Sequence, residues 1–300
     1  MVVKKSDLKI LVAAVGICLL GGIVTYNTNR AGAPGFTGES VVCFLPEVLR
    51  PVLEPLMDSF QHAFGIEVRR ISCNSLEMAE RLAETPAGHA VIYEDIGVTE
   101  RLLSGDLLLR GETHIFELLY LVPALLVAKG NPGAVVGLAD VGREGLMVGV
   151  EPPSYSAMGA LAGGVLKDYD LLKKKLDRRE LRQAPLEELI ELLHGNQLHT
   201  IIGYRFLHFL HSRVMDLVPL PENESTGVVV VRAAMTRFAS DPNATHALLQ
   251  YLAHPSRRDQ LKRIGCLSYR HLADSVLGKG FVELVNMPGE DGHEKVVQSP

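Results

Sequence analysis

Short, almost wholly apolar runs recur between helical stretches along most of this chain, and no other feature restricts its fold so closely. "VVCFL" is followed by a helix-period stretch, "PEVLRPVLEPLMDSFQHAFG", and then by "IEVRRISC". Strand, helix and strand at these lengths make a βαβ unit, which demands a parallel sheet with right-handed crossovers. The alternation continues. "SLEMAERLAET" is amphipathic, "HAVIYED" reads as a strand and "GVTERLLSGDLL" as a short helix. "GLMVGV" and "HTIIGY" supply further short buried strands, with "SAMGALAGGVLKDY" and "PLEELIELLHG" as helices between them.

Two passages divide this α/β chain into two lobes rather than one sheet. The long apolar stretch at Leu118 to Ala128 is able to leave one sheet for another, and Val228 to Met235 returns the chain to the first. The expected division is a leader and linker at 1–36, a folded part at 37–285 and a mobile tail at 286–300. Within the folded part, lobe 1 takes about 37–117 and 228–285, and lobe 2 about 118–227.

The composition, 47% hydrophobic and 22% charged over 300 residues, supports a core large enough for two lobes. A formal net charge of -5 provides no global basic field, so nucleic acid is not an expected partner. At the N-terminus, Lys4, Lys5 and Lys9 precede an uncharged apolar segment from Ile10 to Tyr26. As a helix that segment spans about 25 Å, slightly less than the roughly 30 Å hydrocarbon core. Ala31-Gly32-Ala33 lies beyond polar residues and before Pro34, a poor cleavage site, and Ile17 before Cys18 does not suit lipoprotein processing. The segment is therefore read as an uncleaved membrane anchor, with a cleaved signal peptide as the alternative. Either way the lysines stay inside and the remaining chain is exported, which places it in the periplasm or an equivalent extracytoplasmic space. Beyond Cys18 the chain has Cys43, Cys73 and Cys266, without CxxC spacing, and these read as buried free thiols.

In two-lobed α/β proteins, ligands sit where strands hand over to helices. Four such places stand out. Ser72, Asn74 and Ser75 open the helix after "IEVRRISC", and Ser154, Tyr155 and Ser156 precede a small-residue helix start. Pro185 suits a first helical turn and leaves Leu186 a free backbone N–H. Tyr204 ends the strand "HTIIGY". Ordinary N-caps and rim packing explain each of these residues as well as an anion site does, and the two roles coexist. No enzyme signature emerges: P-loop, GxGxxG and GxSxG patterns are absent, and His208 and His211 lack an HExxH companion. Glu94 and Asp95 are strand neighbours that point to opposite faces, so they do not share a proton.

The order of these segments, from about Val41 to Leu267, resembles the substrate-binding proteins of ABC transporters with the type II periplasmic fold. It is most similar to the molybdate/tungstate-binding family. The likeness rests on "FGIEV", "SLEMAERLAETPAGHAVIYED", "LLVAKGNP", "GLMVGVEPPSYSAMGALAGGVL", "GNQLHTIIGY" and "DPNATHALLQYLAHPSRRDQLKRIGCL". The resemblance implies a cleft between lobes in which a tetrahedral oxyanion is held by neutral donors. By the resemblance those donors are Ser75, the backbone at Met158 and Leu186, and the Tyr204 hydroxyl; Asn74 and Ser156, read from their helix starts, complete the expected ligand-binding set. It implies no cofactor, no structural metal, no enzymatic activity and an ABC permease as partner.

Three departures stand against the ligand. "CFLPEVLRP" puts Glu47 or Val48 where the family carries a serine, His89 replaces an aspartate, and "PPSYSAMG" is longer and adds Tyr155. Two alternatives follow: a degenerate fold kept as an anchored sensor or interaction module, or another ligand, such as ferric ion on a Tyr155–Tyr204 phenolate pair.

Overall fold

In a computed structural model, described for residues 40–111, 114–168, 171–218 and 228–266, the chain forms two five-stranded sheets. The expected anchor at residues 10–26 and the tail at 286–300 lie outside these residues. Among the described residues no helix is long and apolar enough to cross a membrane.

The first sheet contains β1 (Val41–Leu45), β2 (Val68–Ser72), β3 (Ala90–Glu94), β4 (Ile115–Leu121) and β10 (Val229–Met235), in the order β2-β1-β3-β10-β4. The second contains β5 (Pro123–Ala128), β6 (Val148–Val150), β7 (Leu181–Gln183), β8 (Thr200–Tyr204) and β9 (Met215–Val218), in the order β7-β6-β8-β5-β9. Each sheet therefore repeats one plan. Three strands run parallel, β2-β1-β3 in one lobe and β7-β6-β8 in the other, as the βαβ pattern requires. Next to them lies an antiparallel strand, β10 or β5, that has just entered from the opposite lobe. The sheets are thus mixed rather than purely parallel, because a strand that crosses between lobes arrives from the cleft side. The outgoing crossing falls at Val122, between β4 and β5, later than the expected 117/118 boundary. Leu119 to Leu121 remain paired to β10 in the first sheet, with Leu118 at the bulge that precedes them.

Helix α1 (Arg50–Phe64) shows how sequence sets an element here. Pro51 suits its first turn, and Val52, Leu53, Leu56, Met57 and Phe60 bury one face. Gly65 ends it in the left-handed conformation, at φ 70°. α2 (Met78–Glu84) and α3 (Val98–Ser104) complete the first lobe's βα connections, and α4 (Leu138–Val141) opens the second. α5 (Ala157–Asp168), α6 (Leu171–Asp177) and α7 (Leu186–His194) wrap the second sheet. After β8 come α8 (Phe206–Leu210) and, past the return crossing, α9 (Pro242–Ala253) and α10 (Arg258–Arg263). Cys43, Cys73 and Cys266 are buried and free, as expected.

This arrangement positions a site. β1, β2 and β3 end at Leu45, Ser72 and Glu94, and β6 and β8 end at Val150 and Tyr204. The carboxyl ends of parallel strands from both lobes face one cleft.

Candidate functional site between the lobes

The cleft holds a cavity of about 560 Å³. Its walls are the segments that follow strand ends: Pro46 to Val48 after β1, Ser72 to Asn74 after β2, Glu94 on β3, Glu151 after β6, and Leu186 and Glu187 opening α7. Tyr155, 49% exposed, and Ser156 close the second lobe's side. Among the described residues, five carboxylates line this space, from Glu47, Glu77, Glu94, Glu151 and Glu187, against the single guanidinium of Arg81.

Two of those carboxylates are buried, and they collect the donors that the sequence marked out. Glu94 is 1% exposed. Its Oε1 accepts a 2.6 Å hydrogen bond from the Tyr204 hydroxyl, and its Oε2 a 3.1 Å bond from the Ser75 hydroxyl. Ser75 Oγ in turn accepts from the Glu94 backbone N–H at 3.0 Å. Glu151 is 7% exposed and accepts from Ser156 Oγ at 2.6 Å, while the Leu186 backbone N–H also bonds it. Ser156 Oγ accepts from Gly159 N at 2.9 Å, so it caps α5 at the same time. A third pair repeats the pattern on the first loop: Ser72 Oγ donates to Glu47, whose carboxylate also bonds Arg50. Four hydroxyls of the cleft therefore donate to glutamates.

Of the six residues expected to hold a ligand, Asn74, Ser156 and Leu186 line the cavity. Asn74 caps the 3-10 turn Ser75–Glu77 by accepting from Leu76 N at 3.0 Å, and its buried Nδ2 makes no hydrogen bond. Ser75 and Tyr204, expected to donate to a ligand, instead converge on Glu94, which stands between them and the cavity that it lines. Met158 is 3% exposed, belongs to the core and does not line the cavity. Tyr155 lines the cavity and Tyr204 does not, so the two phenols form no pair there.

Sequence reasoning missed Glu94 and Glu151. Its argument that Glu94 and Asp95 face apart holds, since Asp95 pairs with Arg232 and bonds Thr99 on the other side. The signal passed over was a carboxylate closing each of two apolar runs, "AVIYE" and "VGVE".

Electrostatics follow from burial. Removal from water pushes the Glu94 carboxyl up to about 7, against the lowering effect of the bonds from Tyr204 and Ser75; the nearby Glu151 charge adds to the rise. Burial likewise raises Glu151, opposed by its bonds from Ser156 and Leu186. Burial and the adjacent Glu94 carboxylate raise the Tyr204 phenol, keeping it a neutral donor.

A two-lobed fold with this topology and an interlobe cavity is that of a type II periplasmic solute-binding protein. Residues 42–266 match the sequence profile of the bacterial extracellular solute-binding protein family, and the chain belongs to that family. No curated protein sequence matches it. Among solved structures it is similar to the periplasmic molybdate-binding protein of Azotobacter vinelandii, at 16% identity and a TM-score of 0.61, covering 76% of this chain and 99% of that one. It is similar to the sulfate-binding protein SubI of Mycobacterium tuberculosis, at 15% identity and a TM-score of 0.65, covering 79% and 90%. Iron-bound HitA of Pseudomonas aeruginosa shares the fold at 13% identity and a TM-score of 0.58, covering 75% and 83%. Relatives of this one fold bind ions of both signs.

Proposed function

We propose that this chain is the extracytoplasmic receptor of an ABC-type uptake system, closing its lobes on a small solute and passing it to a permease. The observation that carries this reading is the cavity between the lobes, walled by strand ends and helix starts of both, in a member of a solute-binding family. Closure is a hinge motion about the two crossings, driven by contacts that the solute makes with both lobes at once. The N-terminal apolar segment would keep the receptor at the membrane, close to its permease.

A small oxyanion such as molybdate or tungstate is supported by the likeness to molybdate and sulfate binders and by the helix starts at Ser156 and Leu186. It needs a cleft whose donors are free. Here they serve Glu94 and Glu151, so an oxyanion would enter only with proton uptake by these carboxylates. The same occupancy favours a second reading, in which the fold is retained as an anchored interaction module.

A thermal-shift panel on the full-length protein separates the two. Oxyanions, ferric ion, organic amines and neutral sugars would be tested in turn, since a ligand at a hundred times its Kd adds about 2.7 kcal/mol to native stability. A receptor responds to at least one class. Silence across the whole panel removes the receptor reading and leaves the module.

A further inference from the structure

We infer that Glu94 occupies the seat of an anionic ligand from within, so that the cleft rejects oxyanions and selects an organic cation carrying a protonated amine. This rests on the receptor reading above and names the solute class of the same site.

Three independent observations lead there. The first is geometric. Ser75 Oγ comes from the first lobe and Tyr204 Oη from the second, and both donate to one carboxylate, at 3.1 and 2.6 Å. A side chain 1% exposed thus receives directed hydrogen bonds from both lobes, which is what a bound anion would receive. For an oxyanion to take these donors, Glu94 must leave a buried position and give up both bonds.

The second is the chemistry left facing the cavity. Glu151 lies across from Glu94 with its own donors taken up, and Glu77 and Glu187 stand at the rim. Glu47 is balanced by Arg50, leaving Arg81 as the one cationic side chain in the wall among the described residues. An anion entering this space meets like charge from both lobes. A protonated amine meets two carboxylates whose other contacts already hold them in place, so little ordering accompanies its binding.

The third separates an organic cation from a metal ion. Among the described residues no group of three or more His, Cys, Asp or Glu side chains is arranged to hold a metal. A cavity of about 560 Å³ is also far larger than a bare ion fills. Tyr155 sets an exposed aromatic ring on the wall, and such a ring attracts an organic cation across its face.

The test uses the full-length protein at pH 8.5 with spermidine and putrescine as cationic probes and molybdate and sulfate as anionic ones, measured by calorimetry and thermal shift. Wild type is expected to bind an amine and neither anion. Glu94→Gln keeps an acceptor for Tyr204 and a near-identical shape, so it is expected to fold while losing at least tenfold in amine affinity. Glu151→Gln should show a similar loss, and Glu188→Gln, outside the cavity wall, should show none. Anion binding to wild type at this pH overturns the inference and leaves the receptor reading standing. Amine binding that Glu94→Gln leaves unchanged removes Glu94 from the recognition. If none of these four probes binds, the inference falls, and the receptor reading stands or falls separately on the wider panel above.

Discussion

Glu94 carries two consequences that belong to a single side chain. Its carboxyl ordinarily titrates at 4.5 and is pushed up to about 7 here. The fold therefore favours the protonated form, and its contribution to stability is complete below pH 4.5 and lost as the pH rises through 7. Glu94→Gln, which never ionises, is expected to be more stable than wild type at pH 8 by about 3 kcal/mol, and to match it near pH 4. Denaturant melts across that range measure the difference; a constant offset at every pH would mean that ionisation is not its source. Tyr204→Phe removes the stronger of the two side-chain donors. It should lower stability by about 1–3 kcal/mol and move the Glu94 titration further up, a shift that carboxyl NMR would follow. The same titration gives the sign of ligand binding. A cationic solute favours ionised Glu94, so its affinity should climb as the pH rises through 7, whereas an oxyanion would show the opposite slope. The groups facing Glu94 are Ser75 from the β2 side, Tyr204 from β8 and Glu151 beyond β6.

Among the elements, the start of α5 is the most tightly constrained part of the site. Gly159 lies where an added Cβ would come within 2.3 Å of the Pro152 carbonyl oxygen and 2.8 Å of the Glu151 carbonyl oxygen. These are backbone atoms, so no side chain is able to swing aside. The close approach lets the helix's first turn sit against the "EPPS" segment and brings Ser156 onto Glu151. Gly159→Ala is expected to lose about 1–3 kcal/mol through this crowding and to weaken any ligand that depends on Glu151. Gly163→Ala is a useful comparison, because its Cβ would meet only the Pro153 ring, at 3.0 Å. Thermal melts of the two variants should separate by several degrees. At this scale the sequence was readable: "SYSAMG" marks a helix start with a serine cap and small residues behind it. The need for glycine at 159 was not, since it arises from a contact with residues that precede the helix.

For the molecule as a whole, the Tyr204–Glu94 bond lies beside both crossings. Tyr204 pairs in register with Pro123, where the chain has just entered the second lobe, and Glu94 pairs with Val231, where it has returned to the first. The bond therefore ties the lobes together at the back of the cleft. Glu94→Ala, which leaves Tyr204 and Ser75 without their acceptor, should let the lobes part, giving a larger radius of gyration by small-angle scattering. An unchanged radius would mean that the crossing strands alone set the angle between lobes.

Local pattern determined most of the architecture. Apolar runs alternating with amphipathic stretches require βα units, two long apolar passages require two crossings, and the handovers at Ser75, Ser156, Leu186 and Tyr204 identify the ends that meet at a cleft. These are properties of neighbouring residues, which is why they survive in a bare string of letters. What fills the meeting point is not local. Glu94 and Tyr204 are 110 positions apart, and nothing near either shows that one accepts the other's hydrogen bond. Only tertiary structure decided that the hydroxyls expected to face a ligand would face the protein's own carboxylates, because burial sets both which groups meet and how strongly their charge is resisted.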